Sequence, residues 1–368
     1  MTDLSLYLQE VDAVLISSTS QITFLTGYSN FSSTEREAYL LITPEKKYIF
    51  TDARYTEAVK NLADFELLEI SGKVGFSDHL KNLSEKHQIK NIGIEEYSLT
   101  VRELRNLEKI FNDIKSVKLG SLRSIKTKEE INKIEKACLL GDKGFRVLLK
   151  KIKPGISEKE LALEFELFIK KNGATLSFDT IVAFGENTAI PHHHTGGQKI
   201  EDRRQIGEDG KWSTEALFIK MDFGTKVDNY CSDMTRTVFY GKASAKQKKM
   251  YQTVLDAQTK VAEFLDNQIK QGKKVLGKEV DKVARDYIIA QGFPSIPHGL
   301  GHGTGIEVHE APRLSPKSDD ELVEGMVFSI EPGIYIPGYG GVRIEDLYVI
   351  EKNGLRQFTK SKKDLMQI

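Results

Sequence analysis

The 368-residue sequence predicts an α+β protein in which a smaller α/β region precedes a larger region of antiparallel strands and helices. Three observations carry this prediction. The first third alternates strand-like and helix-like segments, and the residues after Thr180 form short β-rich runs separated by glycines. Hydrophobic residues make up 39% of the chain, which is enough for a sizeable core.

The first region is predicted to be a compact α/β domain. Residues 13–16 are apolar and predict a buried strand, and two strand-like runs predict a hairpin that turns at Pro44 and Glu45. Segments with helical periodicity follow the strands. We expect this domain to span residues 1–119 and a linker to follow at 120–126.

The second region, predicted to span residues 127–368, begins with a helix-capping pattern. Thr127 is followed three residues later by Glu130, and Ser157 is followed in the same way by Glu160. These patterns predict two long helices. Further helices are predicted at 245–269 and 277–291.

Charge, cysteine content and the first residues of the chain indicate its partners and its cellular compartment. The chain has 53 basic and 53 acidic residues, so its formal charge of zero argues against nucleic-acid and anionic-membrane partners. Two cysteines cannot form a disulfide framework in a chain of this length, which fits a reducing cytoplasm. Residues 1–10 have no basic segment, so we expect no signal peptide and a cytoplasmic protein.

Asp222 and Asp233 lie inside apolar, strand-like runs. The polar segment 226–229 between them is typical of a turn. The sequence therefore predicts an antiparallel hairpin in which the two aspartates face each other, with Cβ atoms about 5 Å apart.

The same pattern recurs at Glu331 and Glu345, whose midpoint, Gly338, lies in a glycine-rich turn sequence. Four carboxylates on buried strands are costly unless cations neutralise them. Two divalent cations would balance the charge, and carboxylate-rich sites suit Mn²⁺, Fe²⁺ or Co²⁺, with Zn²⁺ as a further option. The alternative is that the acids are exposed or paired with cationic side chains, for which Arg236 and Arg343 are the candidates.

Six of the eight histidines fall into two groups. One group is 192–194, and the other contains His298, His302 and His309 in a glycine-rich stretch. Its glycines disfavour a helix, so we expect a loop or irregular strand whose backbone can approach a metal closely. The spacing also lacks the glutamate of the helical zinc-protease motif.

Together these motifs resemble the pita-bread metallopeptidases, in the branch that contains aminopeptidase P and prolidase. The motifs of the second region are Met221–Gly224, Ser232–Thr237, His298–Gly305, Val308–Pro312, Ser329–Gly333 and Val342–Asp346. The segments 22–28 and 51–55 are similar to the creatinase-like N-terminal domain of the same family. The resemblance implies a C-terminal pita-bread domain preceded by a smaller α/β creatinase-like domain.

The resemblance implies a site for two divalent metal ions, with Mn²⁺ as the expected metal and Co²⁺, Zn²⁺ or Fe²⁺ as alternatives. Asp222 would bind one ion, and His302 and Glu331 would bind the other. Asp233 and Glu345 would bridge the pair. Glu331 would also transfer a proton to the departing proline nitrogen.

The resemblance also implies which residues contact the substrate. His192 matches a substrate-binding histidine, and His298 and His309 match histidines near the scissile bond. The residues implied to line the same pocket are Val308, Tyr335 and Arg343. The segment 196–214 makes the chain longer than the family pattern, and we expect a surface loop there, with a substrate-capping lid as the alternative.

The implied activity is hydrolysis of the Xaa-Pro bond at the N-terminus of short peptides, as in aminopeptidase P. An Xaa-Pro dipeptidase (prolidase) that acts only on dipeptides is the first alternative. A dipeptidase must bind the free carboxylate next to the proline, an aminopeptidase must leave that end open, and the sequence has arginines for either task. A non-catalytic pita-bread binding protein and a creatinase-like carbon–nitrogen hydrolase are further alternatives. Because the N-terminal domain of the family often forms a dimer contact, we expect a homodimer.

Overall fold

The computed structural model describes residues 4–201 and 215–368. The chain divides into two compact units, Met1–Arg123 and Ser124–Ile368. The segment 120–126, predicted as a linker, contains most of a 3₁₀ helix at Leu119–Arg123. Each helix in the described part of the chain is too short or too polar to cross a membrane.

The first unit is built on a six-stranded sheet. Its strands are β1 (Ala13–Ile16), β2 (Ala38–Ile42), β3 (Lys47–Asp52), β4 (Phe65–Ile70), β5 (Asn91–Ile94) and β6 (Asp113–Ser116). Its helices are α1 (Thr19–Thr26), α2 (Thr56–Val59), α3 (Phe76–Lys86) and α4 (Val101–Leu107), with a 3₁₀ helix at Leu4–Gln9. The strand order is β4-β3-β2-β1-β5-β6. The predicted hairpin is confirmed, because Ile42 pairs with Lys47 across Pro44 and Glu45.

Four long helices belong to the second unit. They are α5 (Lys128–Lys151), α6 (Glu158–Lys171), α7 (Ala245–Lys270) and α8 (Gly277–Ala290), with a 3₁₀ helix at Gly185–Ala189. Both predicted capping boxes are confirmed. The Thr127 hydroxyl accepts from the Glu130 amide, and the Glu130 carboxylate accepts from the Thr127 amide; Ser157 and Glu160 repeat the arrangement.

The strands of the second unit pair antiparallel in four sheets. They are β7 (Thr175–Leu176), β8 (Ile181–Phe184), β9 (Leu217–Phe223), β10 (Thr225–Val227), β11 (Tyr230–Cys231), β12 (Met234–Tyr240), β13 (Gly301–Gly303), β14 (Glu310–Leu314), β15 (Val327–Ile330), β16 (Gly333–Ile336), β17 (Gly340–Arg343), β18 (Asp346–Glu351) and β19 (Gly354–Gln357). The strand orders are β11-β10-β7, β12-β9-β8, β14-β13-β15-β18-β19 and β16-β17.

Packing of strand β9 against the hydrophobic core determines the face on which Asp222 lies. All seven of its residues are buried. Ile219 and Met221 belong to the hydrophobic cluster that includes Phe145 of α5 and Phe165 of α6. Because side chains alternate along a strand, the residues between them point to the opposite face. Asp222 therefore lies on the face of β9 that is turned away from α5 and α6.

Candidate metal centre

The β9–β12 hairpin brings Asp222 and Asp233 together, but not directly opposite each other. The turn is centred on Asp228 and Asn229, whose φ angles are 48° and 71°. Asp222 therefore pairs with Thr235, and the predicted direct pairing of the two aspartates is wrong by two residues. Their carboxylate oxygens nevertheless lie within 4.8 Å of each other. The aspartates are diagonal neighbours on one face.

Glu331 and Glu345 face each other as the sequence predicts. Strand β16 pairs with β17, and β15 with β18, in one register whose centre is Gly338. Glu331 follows β15 and Glu345 precedes β18, so this register places the two side by side. The amide of Glu345 donates to the carbonyl oxygen of Thr235 at 3.1 Å, which joins this pair to the first hairpin.

His302 lies in β13 with its imidazole in a fixed orientation. Nδ1 donates to the carbonyl oxygen of Gly303 at 3.1 Å, so Nε2 is the nitrogen available as a ligand. Nε2 lies 3.3 Å from Glu331 Oε1 and 3.6 Å from Asp233 Oδ2. A Cβ atom at Gly301 or Gly303 would lie 2.0 Å from a carbonyl oxygen of a neighbouring strand. Glycine on both sides of the histidine therefore permits this close strand packing.

The five predicted ligands form overlapping groups whose ligand atoms lie within 4.8 Å of one another. The groups are Asp222–Asp233–Glu345, His302–Glu331–Glu345 and Asp233–His302–His309. Within the described residues, Asp233 Oδ1 and Glu345 Oε1 are buried without a hydrogen-bond partner. Buried carboxylate oxygens without donors are costly, and oxygen and imidazole ligands suit divalent ions. The donor set therefore fits divalent cations.

The carboxylates also perturb one another electrostatically. Burial and the charge of Glu345 raise the pKa of Asp233 well above its usual range. Burial and the charge of Glu331 do the same to the pKa of Glu345. Burial also acts to raise the pKa of Glu331, but a hydrogen bond and the charge of His302 lower it to about 2. Neighbouring acids resist simultaneous ionisation unless positive charge is added.

The two arginines that could neutralise these acids have different partners. Arg236 pairs with Asp346 at 2.6 Å, which is not one of the four acids. Arg343 pairs with Asp222. Within residues 4–201 and 215–368, the other three carboxylates form no ion pair with lysine or arginine. The alternative of salt-bridged acids therefore holds for one acid of the four.

The guanidinium of Arg343 is buried and contacts groups from several elements. Besides Asp222, it donates to the hydroxyl oxygens of Thr235 at 2.9 Å and Tyr335 at 3.0 Å. It also donates to the carbonyl oxygen of Pro191 at 3.3 Å. Arg343 lines the cavity as predicted, but most of its donors are already engaged by the protein.

His298 is held through both ring nitrogens. Nδ1 donates to the carbonyl oxygen of Gly299 at 2.8 Å, and Nε2 accepts from the hydroxyl of Tyr335 at 2.9 Å. That hydroxyl accepts in turn from Arg343. Burial lowers the pKa of His298, which favours the neutral ring that this arrangement requires. Tyr335 therefore orients His298.

Glu158, the first residue of α6, fixes the histidine segment. Its buried carboxylate accepts four N–H groups at 2.8–2.9 Å. The donors are the amides of Phe184 and Gly196, the side chain of Asn187 and Nε2 of His193. His193 is thereby engaged by the protein, whereas His192 and His194 have exposed side chains that line the cavity. The sequence did not identify Glu158.

The predicted site residues surround a cavity of about 930 Å³. Those that line it are His192, Asp222, Asp233, His298, His302, His309, Glu331, Arg343 and Glu345. Val308 and Tyr335, although both are described, are not among its lining residues. The Tyr335 hydroxyl contacts two residues that line the cavity, His298 and Arg343, and the Val308 carbonyl accepts from the Thr304 hydroxyl at 3.0 Å.

Two charged lining residues were absent from the sequence prediction. Asp179 and Arg313 are exposed and line the cavity, and neither forms a side-chain ion pair within the described residues. His309 lines the same cavity, and burial and His302 lower its pKa to about 4, with Arg313 as a smaller cause. Its position directly after the motif 308–312 is the signal that could have identified Arg313.

The predicted insertion lies partly outside the described residues, which omit 202–214. The part that is described bonds to the start of α6. The amide of Ile200 donates to the carbonyl of Ile156 at 2.9 Å, and the amide of Gly155 donates to the carbonyl of Ile200 at 2.7 Å. The loop and lid alternatives for 196–214 both stay predictions.

Comparisons with known proteins identify the family of each part of the chain. Residues 132–352 match metallopeptidase family M24, and residues 6–125 match the creatinase/prolidase N-terminal domain. An Xaa-Pro dipeptidase from Pyrococcus horikoshii is 36% identical over 97% of this chain and 95% of its own length.

Two solved structures cover the chain completely. An Xaa-Pro dipeptidase from Bacillus anthracis has a TM-score of 0.88 and 32% identity, and the match covers 98% of that protein. An X-Pro aminopeptidase from Thermotoga maritima has a TM-score of 0.84 and 32% identity, and the match covers 100% of that protein. The predicted pita-bread domain, creatinase-like N-terminal domain and metallo-exopeptidase class are confirmed. The chain belongs to metallopeptidase family M24.

Proposed function

We propose that the protein is an Xaa-Pro dipeptidase that requires two divalent metal ions. The observation that carries this proposal is Arg313, an exposed guanidinium that lines the same cavity as His309 and has no ionic partner among the described residues. In an Xaa-Pro dipeptide the free carboxylate belongs to the proline itself, next to the scissile bond. A guanidinium binds such a carboxylate through two parallel hydrogen bonds.

The relatives support the same choice, because the Pyrococcus horikoshii and Bacillus anthracis proteins are named Xaa-Pro dipeptidases. Asp179 adds a negative charge to the cavity lining, which suits the free amine of Xaa. The dipeptidase proposal thus takes the place of the aminopeptidase activity that the sequence favoured.

Aminopeptidase P activity is the second candidate. It is favoured by the Thermotoga maritima X-Pro aminopeptidase, which is as identical to this chain as the Bacillus anthracis dipeptidase, at 32%. An aminopeptidase must leave room for the peptide that continues after the proline. No carboxylate then lies next to the scissile bond for a guanidinium to bind.

Asp222, Asp233, His302, Glu331 and Glu345 would hold the two ions, since their ligand atoms lie close together. Among the described residues, only Asp222 of the four acids pairs with an arginine or lysine. When bound, such ions supply Lewis acidity and lower the pKa of water at the site. We expect Mn²⁺, with Co²⁺, Zn²⁺ or Fe²⁺ as alternatives.

The protein's own groups orient the peptide and move its protons. Burial and His302 lower the pKa of His309 to about 4, so at neutral pH its ring keeps one N–H. That N–H can donate to the carbonyl oxygen of Xaa as negative charge develops there. His192, which lines the same cavity, would contact the peptide from the other histidine group.

Glu331 is the group that delivers a proton to the proline nitrogen. An Xaa-Pro amide nitrogen carries no hydrogen, so it must gain one as it leaves. The Ser329 hydroxyl donates to Glu331 Oε1 at 3.2 Å, which fixes the carboxylate. In the proposed reaction Glu331 would accept a proton from the attacking water and deliver it to the proline nitrogen.

Hydrolysis of Ala-Pro and Ala-Pro-Ala by the Mn²⁺-loaded protein tests the proposal. We expect kcat/KM for Ala-Pro to exceed that for Ala-Pro-Ala by at least about tenfold, the equivalent of one charged hydrogen bond. Equal or better cleavage of the tripeptide would establish the aminopeptidase activity instead. Failure to cleave either peptide would reject both.

Variants at Arg313 test the carboxylate contact itself. Arg313→Met is expected to raise KM for Ala-Pro about thirtyfold, because a charged hydrogen bond contributes about 1.5–3 kcal/mol. Lys317→Met is the matched control, since Lys317 is exposed nearby in sequence and does not line the cavity. An unchanged KM in Arg313→Met would remove the argument for a dipeptidase.

Metal identity and assembly need separate measurements. Elemental analysis of protein purified without added metal would identify the ions and their number per chain. Light scattering would test the expected homodimer, whose mass is twice the 41.5 kDa of one chain.

A further inference from the structure

Lys220 is a charged residue in the middle of the buried strand β9. Its side chain is fully buried, and its sheet neighbours are Thr237 on β12 and Ala183 on β8. Lysine is almost never fully buried unless it is paired. Within the described part of the chain, however, no carboxylate forms an ion pair with Lys220.

The partners of Lys220 are main-chain carbonyl oxygens. Its Nζ lies 2.6 Å from the oxygen of Ile190, 3.1 Å from that of Pro191 and 3.3 Å from that of Thr188. An ammonium has three N–H donors, which matches these three acceptors. Burial lowers the pKa of Lys220 to about 6, and the neutral amine still has two N–H donors for the two shorter contacts.

These carbonyls belong to the residues directly before His192, which lines the cavity. Strand β17 holds the same segment from another side. The amide of Gly341 donates to the Thr188 hydroxyl at 2.7 Å, and Arg343 donates to the Pro191 carbonyl at 3.3 Å. A Cβ atom at Gly341 would lie 2.2 Å from the Thr188 carbonyl oxygen, so the two backbones pack closely.

We propose that Lys220 is a positioning residue that holds segment 188–191 so that His192 faces the substrate. The proposal rests on the proposed peptidase function, in which His192 contacts the peptide. Lys220 is not among the described residues that line the cavity, so its effect on the substrate passes through His192. Strand β9 would therefore contribute two residues to the site: Asp222 as a metal ligand and Lys220 as the residue that holds segment 188–191.

Hydrogen exchange tests the structural part of the proposal without any activity. Lys220→Met removes the donors and keeps an apolar side chain of similar length. We expect amide exchange in residues 185–196 of the metal-free protein to become about tenfold faster, since the segment loses contacts that oppose local opening. Lys226→Met, on β10 of the same hairpin, is the matched control and should leave this exchange unchanged. Unchanged exchange in Lys220→Met would overturn the proposal.

Kinetics test whether the lysine acts through His192. Lys220→Met should raise KM for Ala-Pro about tenfold and leave kcat within about threefold, the pattern of lost substrate binding. In a His192→Ala background, Lys220→Met should raise KM no further, because both substitutions remove the same contact, that of His192 with the peptide. An equal rise in both backgrounds would show a merely structural role and overturn the proposal.

Two further outcomes are also decisive. If Lys220→Met does not fold, Lys220→Gln, which keeps an amide donor, takes its place in both experiments. Loss of folding in both variants would show that the lysine maintains the fold and would overturn the positioning role. If the wild-type protein cleaves no Xaa-Pro peptide, the proposed function fails, but the exchange comparison still decides whether Lys220 holds the segment.

Discussion

Replacing Arg343 with lysine tests whether one buried guanidinium joins the two acidic hairpins. Arg343 lies at the end of β17, beside Glu345, and reaches Asp222 on β9 and Thr235 on β12. It also donates to Tyr335, which orients His298. The substitution keeps the positive charge and removes the planar arrangement of donors.

The magnitude follows from the individual contacts. Nε of Arg343 donates to Thr235, and Nη1 donates to Tyr335. A single ammonium that stays with Asp222 cannot also reach both hydroxyls, so these two buried hydrogen bonds are lost. At about 0.5–1.5 kcal/mol each, with some additional cost for the unsatisfied groups, the free energy of unfolding should fall by about 2–3 kcal/mol.

Urea unfolding of the metal-free protein, followed by circular dichroism, measures this change at constant m value. Arg356→Lys is the matched control. Arg356 pairs with Glu351 at 2.6 Å and Glu135 at 2.8 Å, but its side chain is 33% exposed. Its substitution should change stability by less than about 0.5 kcal/mol. Equal changes in the two variants would refute the argument that the buried arginine joins the hairpins.

Three further predictions concern other contacts of the site. Metal binding should release protons, because burial and neighbouring acids raise the pKa values of Asp233 and Glu345 in the metal-free protein. Calorimetry in buffers of different ionisation enthalpy measures this release, and no release would contradict the raised pKa values. Glu158→Gln should lower the free energy of unfolding by about 3 kcal/mol, since the new amide offers an N–H to donors such as His193; a thermal midpoint equal to that of the wild type would contradict this. Gly301→Ala should weaken metal binding at least about tenfold, because its Cβ atom would lie 2.0 Å from a carbonyl oxygen beside the ligands. If the variant kept the metal content of the wild type after dialysis, this prediction would be wrong.

Helices of the second unit could be predicted because their signals are local. The Thr127 hydroxyl and the Glu130 carboxylate each accept from the other residue's amide, three residues apart, and Ser157 and Glu160 do the same. Nothing distant is needed to form such a cap. The predicted starts of α5 and α6 are therefore correct to the residue.

The registers of the two acidic hairpins could not be predicted equally well from local sequence. The glycine-rich sequence around Gly338 marks one turn centre, and the pairing of Glu331 with Glu345 follows from it. The segment 226–229 is polar throughout, so composition alone could not show which residues take positive φ. The structure places them at 228 and 229, one position later than the predicted centre.

Contacts distant in sequence that no motif marks could not be predicted. Lys220 is visible in the sequence as a lone charge in an apolar run, but its acceptor at Ile190 lies 30 residues away. Glu158 and His193 are 35 residues apart. The folded chain brings each pair together through strand pairing and helix packing, which no local pattern specifies.

The zero net charge of the chain does not reflect the charge of the candidate metal centre. Overall the acidic and basic residues balance at 53 each, yet among the described residues the four predicted ligand carboxylates form an ion pair with one guanidinium, that of Arg343. With all four acids ionised, −4 and +1 leave −3, which one divalent ion reduces to −1 and a second turns to +1. A net negative site would oppose the negative charge that develops on a peptide carbonyl oxygen, whereas a net positive site stabilises it. The balance of these five side chains therefore favours two ions over one for peptide hydrolysis.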